Sequence, residues 1–225
     1  MKNKELIFAT HNTNKVREVM ALLPEGFSIK SLGDINFTDE IPETGTTLPQ
    51  NALGKAYYTY IRTGKNCFAE DSGLEVDALN GEPGVYSARY AGEPKNDQAN
   101  IQKVLANLQG KPERKARFRT VFYLIWNGTK WQFEGEVEGS ITESPRGTNG
   151  FGYDAVFQPV GHSQTFAEMP QEEKSRISHR AIALNKMIDF LKEQDLIISF
   201  QEDDYLVKPR TVVQKLEYPE GTGNN

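Results

Sequence analysis

Apolar and polar positions change period several times along the chain, and each change marks an element. Residues 5–10, ELIFAT, form a short continuous apolar run that reads as a buried strand. After the polar stretch HNTNK, the apolar positions Val16, Val19, Met20 and Leu23 recur at helical spacing within KVREVMALL. FSIKSL, residues 27–32, predicts a second strand. Residues 48–64 predict a helix closed by Gly64, since glycine takes left-handed backbone at a helix end without steric cost. NCFAE and LEVDAL predict two short strands on either side of an Asp-Ser-Gly turn at 71–73. Residues 97–110 predict an amphipathic helix with Asp97 as its N-cap. Two β-rich runs flank Asn127-Gly128, a dipeptide suited to a tight hairpin turn, and a hairpin over 116–139 follows. DAVFQPV predicts a further strand, and 178–194 a helix capped by Ser178. Strands and helices mix without a strict β-α-β rhythm, so the expected fold class is α/β, one unit built as two lobes.

Charge and cysteine content narrow the function classes. The formal net charge of −5 argues against a broad grip on duplex nucleic acid, which needs a basic stripe. It leaves room for a small polyphosphate held by a few lysines and a divalent cation. No apolar run approaches the roughly 18 residues that a membrane span requires. The start MKNKELIFATHN is basic, but its apolar stretch is too short for an export signal and reads better as the first strand. Cys67 is the only cysteine, so no intramolecular disulfide forms and a reducing compartment is expected. Neither nucleic acid nor a membrane is expected as a partner.

Four stretches carry candidate chemistry. In ATHNTNK, residues 9–15, a loop between strand and helix presents free backbone N–H groups at the positive end of a helix dipole, which suits phosphate. Asn12 offers an amide donor and Lys15 a charge where a lysine otherwise opposes the dipole. No P-loop or Rossmann glycine pattern is present. The second stretch is the acidic set of Glu43 with the adjacent pair Glu70-Asp71. Two neighbouring carboxylates face either water on a plain turn or a cation. Mg²⁺ takes one or two carboxylates with waters and phosphate oxygens, and Glu43 with Asp71 would suit it. The third is GTNGFGYD, residues 147–154, where three glycines permit close backbone approach and Phe151 or Tyr153 offers a ring to a planar base. The fourth is EEKSRISHRAIAL, residues 172–184. His179 and Arg180 begin a helix there, with Lys174 in the loop just before, and cations at that end call for an anionic or carbonyl-bearing ligand.

The stretches ATHNTNKVRE, ETGTTLPQNALGKA, AEDSGLEVDALNGEPGVYSARYAGE, GTNGFGYDAVF and EEKSRISHRAIAL, taken in series, resemble the noncanonical purine nucleoside triphosphate pyrophosphatases, the inosine triphosphate pyrophosphatase or Ham1/RdgB-like family. The resemblance covers about residues 4–193. It implies hydrolysis of ITP, dITP and XTP to the monophosphate and pyrophosphate, Mg²⁺ as cofactor, and a cytoplasmic homodimer that cleanses the nucleotide pool. It implies a long mixed sheet flanked by helices, with a nucleotide cleft between two lobes, over residues 1–194, followed by a C-terminal extension at 195–225 of no recognised counterpart.

By the same resemblance, Asp71 is the proton acceptor and also a metal-binding residue, Glu43 a metal ligand and Glu70 a supporting acid at the metal. Thr10, His11, Asn12 and Lys15 fall in the triphosphate loop and Ser72 at a substrate-binding serine. Phe151, Gly152, Tyr153 and Asp154 fall in the base-binding segment, with Lys174, His179 and Arg180 as the remaining substrate contacts. The chain departs from the family at His11, where many members carry a small residue, and at Gln50, where an acid is missing. Two rivals stand beside this expectation: a related pyrophosphatase with a modified-pyrimidine or 7-methyl-GTP preference, and a nucleotide sensor that does not hydrolyse.

Overall fold

The computed structural model describes residues 4–23 and 25–203. Its described strands are β1 (Lys4–Phe8), β2 (Phe27–Ser31), β3 (Cys67–Val76), β4 (Lys115–Trp126), β5 (Thr129–Ile141) and β6 (Phe157–Pro159), in one sheet of order β2-β1-β3-β4-β5-β6. β1 runs parallel to both β2 and β3, and the β3-β4-β5-β6 pairs are antiparallel, so the sheet is mixed. The helices are α1 (Thr13–Met20), α2 (Leu48–Thr63), α3 (Asp97–Asn107), α4 (Gln171–Ile177) and α5 (His179–Asp203). The fold is therefore mixed α/β, with helices around one sheet.

Local chemistry accounts for most boundaries. Asn12 caps α1 by accepting from the N–H groups of Asn14 at 3.0 Å and Lys15 at 3.4 Å, so the helix begins two residues before the predicted span. Thr47 caps α2 by accepting from Gln50 N, and the Gln50 side-chain oxygen Oε1 accepts from Thr46 N at 2.8 Å, a near capping box. That is the use this chain makes of the residue at which the family acid is missing. Gly64 ends α2 in left-handed backbone, as its sequence predicts. Asn127 and Gly128 both take positive φ between paired Trp126 and Thr129, which is the two-residue hairpin turn.

Four expectations are corrected. Asp71-Ser72-Gly73 is not a turn: β3 runs unbroken through it, paired residue by residue with β4 from Cys67↔Ile125 to Val76↔Ala116. Gly73 serves close packing instead, because a Cβ there would lie 2.4 Å from the carbonyl oxygen of Gly84. The α3 cap is Asn96, whose side chain accepts from Ala99 N at 3.0 Å, while Asp97 is the first helical residue. Residues 171–177, expected as loop around Lys174, form α4. The strand expected over 154–160 shrinks to Phe157–Pro159, because the 151–156 stretch turns on itself through the bonds Asp154 N to Phe151 O and Val156 N to Tyr153 O.

One apolar cluster gathers Ile7, Leu32, Ala56, Cys67, Ala69 and Ile125, and another gathers Leu74, Val76, Phe118, Phe157 and Phe166. β3 contributes its first half to one cluster and its second half to the other. Residues 70–73 lie between them, with apolar packing on both sides. Met1–Phe190 forms one compact unit and Leu191–Asn225 another. Of the second, the structure describes only the end of α5, so the expected C-terminal extension lies largely outside the described residues. No helix among the described residues is long and apolar enough to cross a membrane.

Candidate active site

A cavity of about 390 Å³ opens beside the middle of β3. Its wall brings together Thr10, His11, Asn12, Lys15, Glu43, Asp71, Ser72, Phe151, Gly152, Tyr153, Asp154, Lys174, His179 and Arg180, residues spread over 170 positions of the chain. Glu70 lies just behind the wall, with its side chain fully enclosed.

The adjacent acids face opposite ways, because neighbouring side chains on a strand alternate. Glu70 turns toward α1 and α5. Its carboxylate meets Lys15 Nζ at 2.8 Å and Arg180 in a two-point contact of 2.7 and 3.1 Å. Burial pushes the Glu70 carboxyl up, but Arg180 and Lys15 outweigh it and hold the group well below the usual carboxylate range. Both Glu70 oxygens are thus engaged by cations of the chain. Glu18 on α1 closes the array. It accepts from Lys174 Nζ at 2.9 Å and from Arg180 Nη1.

Asp71 turns toward α2. Its oxygens accept from Lys55 Nζ and from Asn51 Nδ2, each at 3.1 Å. Lys55 Nζ also lies 2.6 Å from Glu43 Oε1, and Arg89 Nη1 lies 3.5 Å from Glu43 Oε2. Burial raises the Asp71 carboxyl above its ordinary value despite Lys55. Burial also disfavours the Glu43 anion, but Lys55 pulls that carboxyl below its usual range. The Lys55 ammonium is disfavoured by burial and then stabilised past its ordinary pKa by Asp71 and Glu43.

Two carboxylates from distant segments therefore converge on a single cationic atom at the cavity wall. This donor set of hard oxygens fits Mg²⁺, which accepts one or two carboxylates and completes its shell with water and phosphate. Among the described residues no third His, Cys, Asp or Glu joins them as a ready-made metal cluster. The Glu70 carboxylate, spent on Lys15 and Arg180, supplies counter-charge behind them.

The glycine-rich loop forms the opposite wall. Gly150 must lack a side chain, since a Cβ would stand 2.0 Å from Asp154 Oδ2. That oxygen accepts from Phe151 N at 2.9 Å and from Lys174 Nζ at 2.7 Å. Lys174 Nζ sits 5.3 Å, and the Arg180 guanidinium 5.6 Å, from the centre of the Phe151 ring. Of the two rings expected to offer a stacking face, Tyr153 is taken. It is buried in the core, with its hydroxyl donating to Ser87 O at 2.8 Å.

The start of α5 is buried, not a solvated basic turn. Ser178 caps it by accepting from Ala181 N at 3.2 Å. His179 stacks on Phe118, ring centres 4.6 Å apart and planes nearly parallel. Burial drives the His179 pKa well below its ordinary value, so the ring is neutral at pH 7, and its buried Nδ1 has no partner among the described residues. Ser72 Oγ bonds Thr120 Oγ1 at 2.7 Å and accepts from Arg180 Nη2 at 3.3 Å.

Sequence reasoning passed over Lys55, Asn51, Glu18, Arg89 and Asp97, all of which shape this cavity or its charge array. Lys55 and Asn51 carried a readable signal. They are four apart on α2 and share the buried face of Leu48, Ala52, Ala56 and Thr59. A lysine on such a face needs an anion.

Residues 6–190 match the model of the Ham1 family. A relative from Bacillus licheniformis called dITP/XTP pyrophosphatase is 54% identical over 194 residues, covering 84% of this chain and 99% of that protein. A protein of the same name from Christiangramia forsetii is 50% identical over 189 residues, 84% of this chain and 100% of its own length. Among solved structures, the Staphylococcus aureus Ham1 protein superposes with a TM-score of 0.78 at 38% identity, over 85% of this chain and 100% of that one. From its sixth residue to the first turns of α5, this chain belongs to the Ham1 family.

Proposed function

We propose that the chain hydrolyses noncanonical purine nucleoside triphosphates (ITP, dITP and XTP) to the nucleoside monophosphate and pyrophosphate, with Mg²⁺ as cofactor. The names borne by its full-length relatives support the reaction class. The observation that carries it is the meeting of Glu43 and Asp71 on one cationic atom at the edge of a cavity lined elsewhere by Lys15, Lys174 and Arg180. A pure binding module has no need of a buried carboxyl whose burial raises it above its ordinary pKa in that place.

Water attacks the α-phosphorus in line with the departing pyrophosphate: a P–O bond forms to the water oxygen as the bridging P–O bond breaks. Held between Glu43 and Asp71, Mg²⁺ would neutralise charge on the phosphoryl oxygens. Asp71 accepts the water's proton. Burial raises its carboxyl, which makes it a stronger base than an exposed aspartate, and Asn51 and Lys55 fix its two oxygens in place. The 10–15 loop with Lys15 faces the β- and γ-phosphates. Lys55 and Arg89 stand beside the acids, and the incoming phosphates can draw them away from Glu43.

The base lies against Phe151. Hypoxanthine and xanthine carry a carbonyl at position 6, an acceptor, where adenine carries a donor. Lys174, Arg180 and His179 are donors on that wall, so an adenine amino group meets a donor and is rejected. The protein acts in the cytoplasm as a homodimer, both on the strength of the family resemblance.

Initial rates of pyrophosphate release from ITP, XTP, dITP, ATP and GTP, with and without magnesium, test the proposal. Release from ITP, dITP and XTP that needs magnesium and exceeds that from ATP is expected, and an Asp71→Asn protein should lose about 10²–10⁴-fold in rate. Equal release by both proteins would remove Asp71 as the base, and activity unaffected by EDTA would remove the metal.

A further inference from the structure

The amides on both sides of the Phe151 α-carbon are held by carboxylates. Phe151 N donates to Asp154 Oδ2 at 2.9 Å, within its own loop. Gly152 N donates to Asp97 Oδ2 at 2.8 Å, and Asp97 comes from the first turn of α3, 55 residues away in sequence. Gly152 has a φ of 60°, so the chain turns sharply there and its amide direction sets where the Phe151 ring can point.

Capping does not account for Asp97, and the helix dipole that its charge favours does not require a bond to another loop. Asn96 already caps α3. The nearest cation, Lys95 Nζ, is 3.6 Å from the other Asp97 oxygen, with both side chains partly exposed, which is a weak surface contact. Its anchor is firm, because Asn100 one turn later pins α3 to the 87–91 segment by accepting from Ala91 N at 2.7 Å and donating to Ala88 O at 3.1 Å. The same segment receives the Tyr153 hydroxyl at Ser87 O. Asp97 itself reaches the cavity wall.

We propose that Asp97 is a positioning residue for purine selection: its carboxylate clasps the Gly152 amide and so fixes the angle at which Phe151 presents its ring to the base. It does not touch the phosphates or the reacting atoms. The inference rests on the functional reading above, since it takes the face of Phe151 as the base platform. It adds a contact from α3 that orients this platform from outside the glycine-rich loop. A carboxylate suits the task better than a neutral acceptor of similar reach, because a hydrogen bond to a charged group is shorter and stronger. An asparagine still provides an acceptor oxygen in the same place, and an alanine provides none.

Equilibrium binding without added metal separates this inference from turnover. IMP carries the base and a single phosphate, and inorganic tripolyphosphate carries the phosphates without the base. Each is titrated into the full chain, into Asp97→Asn and into Asp97→Ala. Asp97→Ala is expected to weaken IMP about tenfold, the effect of one lost charged hydrogen bond, with tripolyphosphate unchanged. Asp97→Asn is expected to stay within about threefold of the parent for IMP. A parallel thermal melt shows that the variants are folded, and should Asp97→Ala not fold, Asp97→Ser, whose shorter side chain does not reach Gly152 N, carries the comparison with the same expected losses. IMP binding by Asp97→Ala equal to the parent overturns the proposal. So does an equal loss for both ligands, which marks general damage, or a parent chain that binds tripolyphosphate and not IMP. Failure of the functional reading shows elsewhere, as absent pyrophosphate release by a parent chain that binds both.

Discussion

Replacing Glu70 by glutamine probes the charge array behind the cavity. Glutamine keeps the shape and removes the charge. Lys15 and Arg180 then remain buried beside one another, with Glu18 as the nearest acid to Arg180. Removing one partner of a buried ion pair costs about 3–5 kcal/mol, because the other charge is left without compensation. Lys15 offers partial relief. Burial already lowers its pKa and loss of Glu70 lowers it further, so the cost should lie toward the lower end of that range, about 3 kcal/mol. In a domain of this length, about 1 kcal/mol moves Tm by about 2–4 °C, so the melt should drop by about 6–12 °C.

Thermal unfolding of Glu70→Gln, Lys15→Met and the double variant at neutral pH measures this. The double variant should lose less than the sum of the singles by more than about 1 kcal/mol, since the two groups are in contact. The pH dependence has a definite sign. Glu70 is held below its unfolded pKa, so its stabilisation is fully present above about pH 5 and is lost as pH falls through the folded value. The gap between parent and Glu70→Gln is therefore constant from neutrality down to about pH 5 and narrows below it. A Glu70→Gln melt within about 2 °C of the parent, or strictly additive singles, would refute the claim that this carboxylate holds two cations together.

Three further substitutions test other parts of the site. Lys55→Met leaves Glu43 and Asp71 without their shared cation, so the Asp71 carboxyl rises further and the acid limb of the pH–rate profile moves to higher pH; an unmoved limb would show that Asp71 does not set it. Phe151→Leu removes the ring beside Lys174 and Arg180, and KM for ITP should rise about tenfold or more with kcat little changed, as expected for a lost base stack. Gly135→Ala would place a Cβ 2.1 Å from His179 O and 2.6 Å from Ala183 N, which forces the first turn of α5 away from β5. A loss of about 1–3 kcal/mol in urea unfolding is expected, together with a raised KM for ITP.

How much of this was legible in the chain depends on whether the signal was local. The β1-loop-α1 unit, the hairpin at Asn127-Gly128 and the Gly64 helix end were readable because their patterns act within a few residues. Ser72-Gly73 misled for the opposite reason. The glycine answers to the Gly84 carbonyl, eleven residues further on, and not to a turn at its own position. Asp97 looked like a cap since it precedes an apolar helix, but Asn96 took that place and freed the carboxylate to reach Gly152. Nothing near Asp97 in sequence records that distant amide. Lys55 was open to discovery by spacing, yet a lysine on a helix is solvated in most proteins, and only its buried neighbours mark it as an exception.

The adjacent acids show why that difference matters to the site. Read as a turn, Glu70-Asp71 would place two carboxylates on one side, and their repulsion would have to be met there by a single ion. An unbroken β3 sends them to opposite faces, and each meets a cation from a different helix: Arg180 of α5 for Glu70, Lys55 of α2 for Asp71. The environments then separate the two groups. Glu70, in two-point contact with a guanidinium, is driven down and stays a fixed anion, while Asp71, buried with an amide and one ammonium, is driven up. Two carboxyl groups one residue apart thus end with pKa shifts of opposite sign, which is the condition for one to act as a proton acceptor while the other only holds charge. Strand continuity through Ser72-Gly73 is the structural cause of that division.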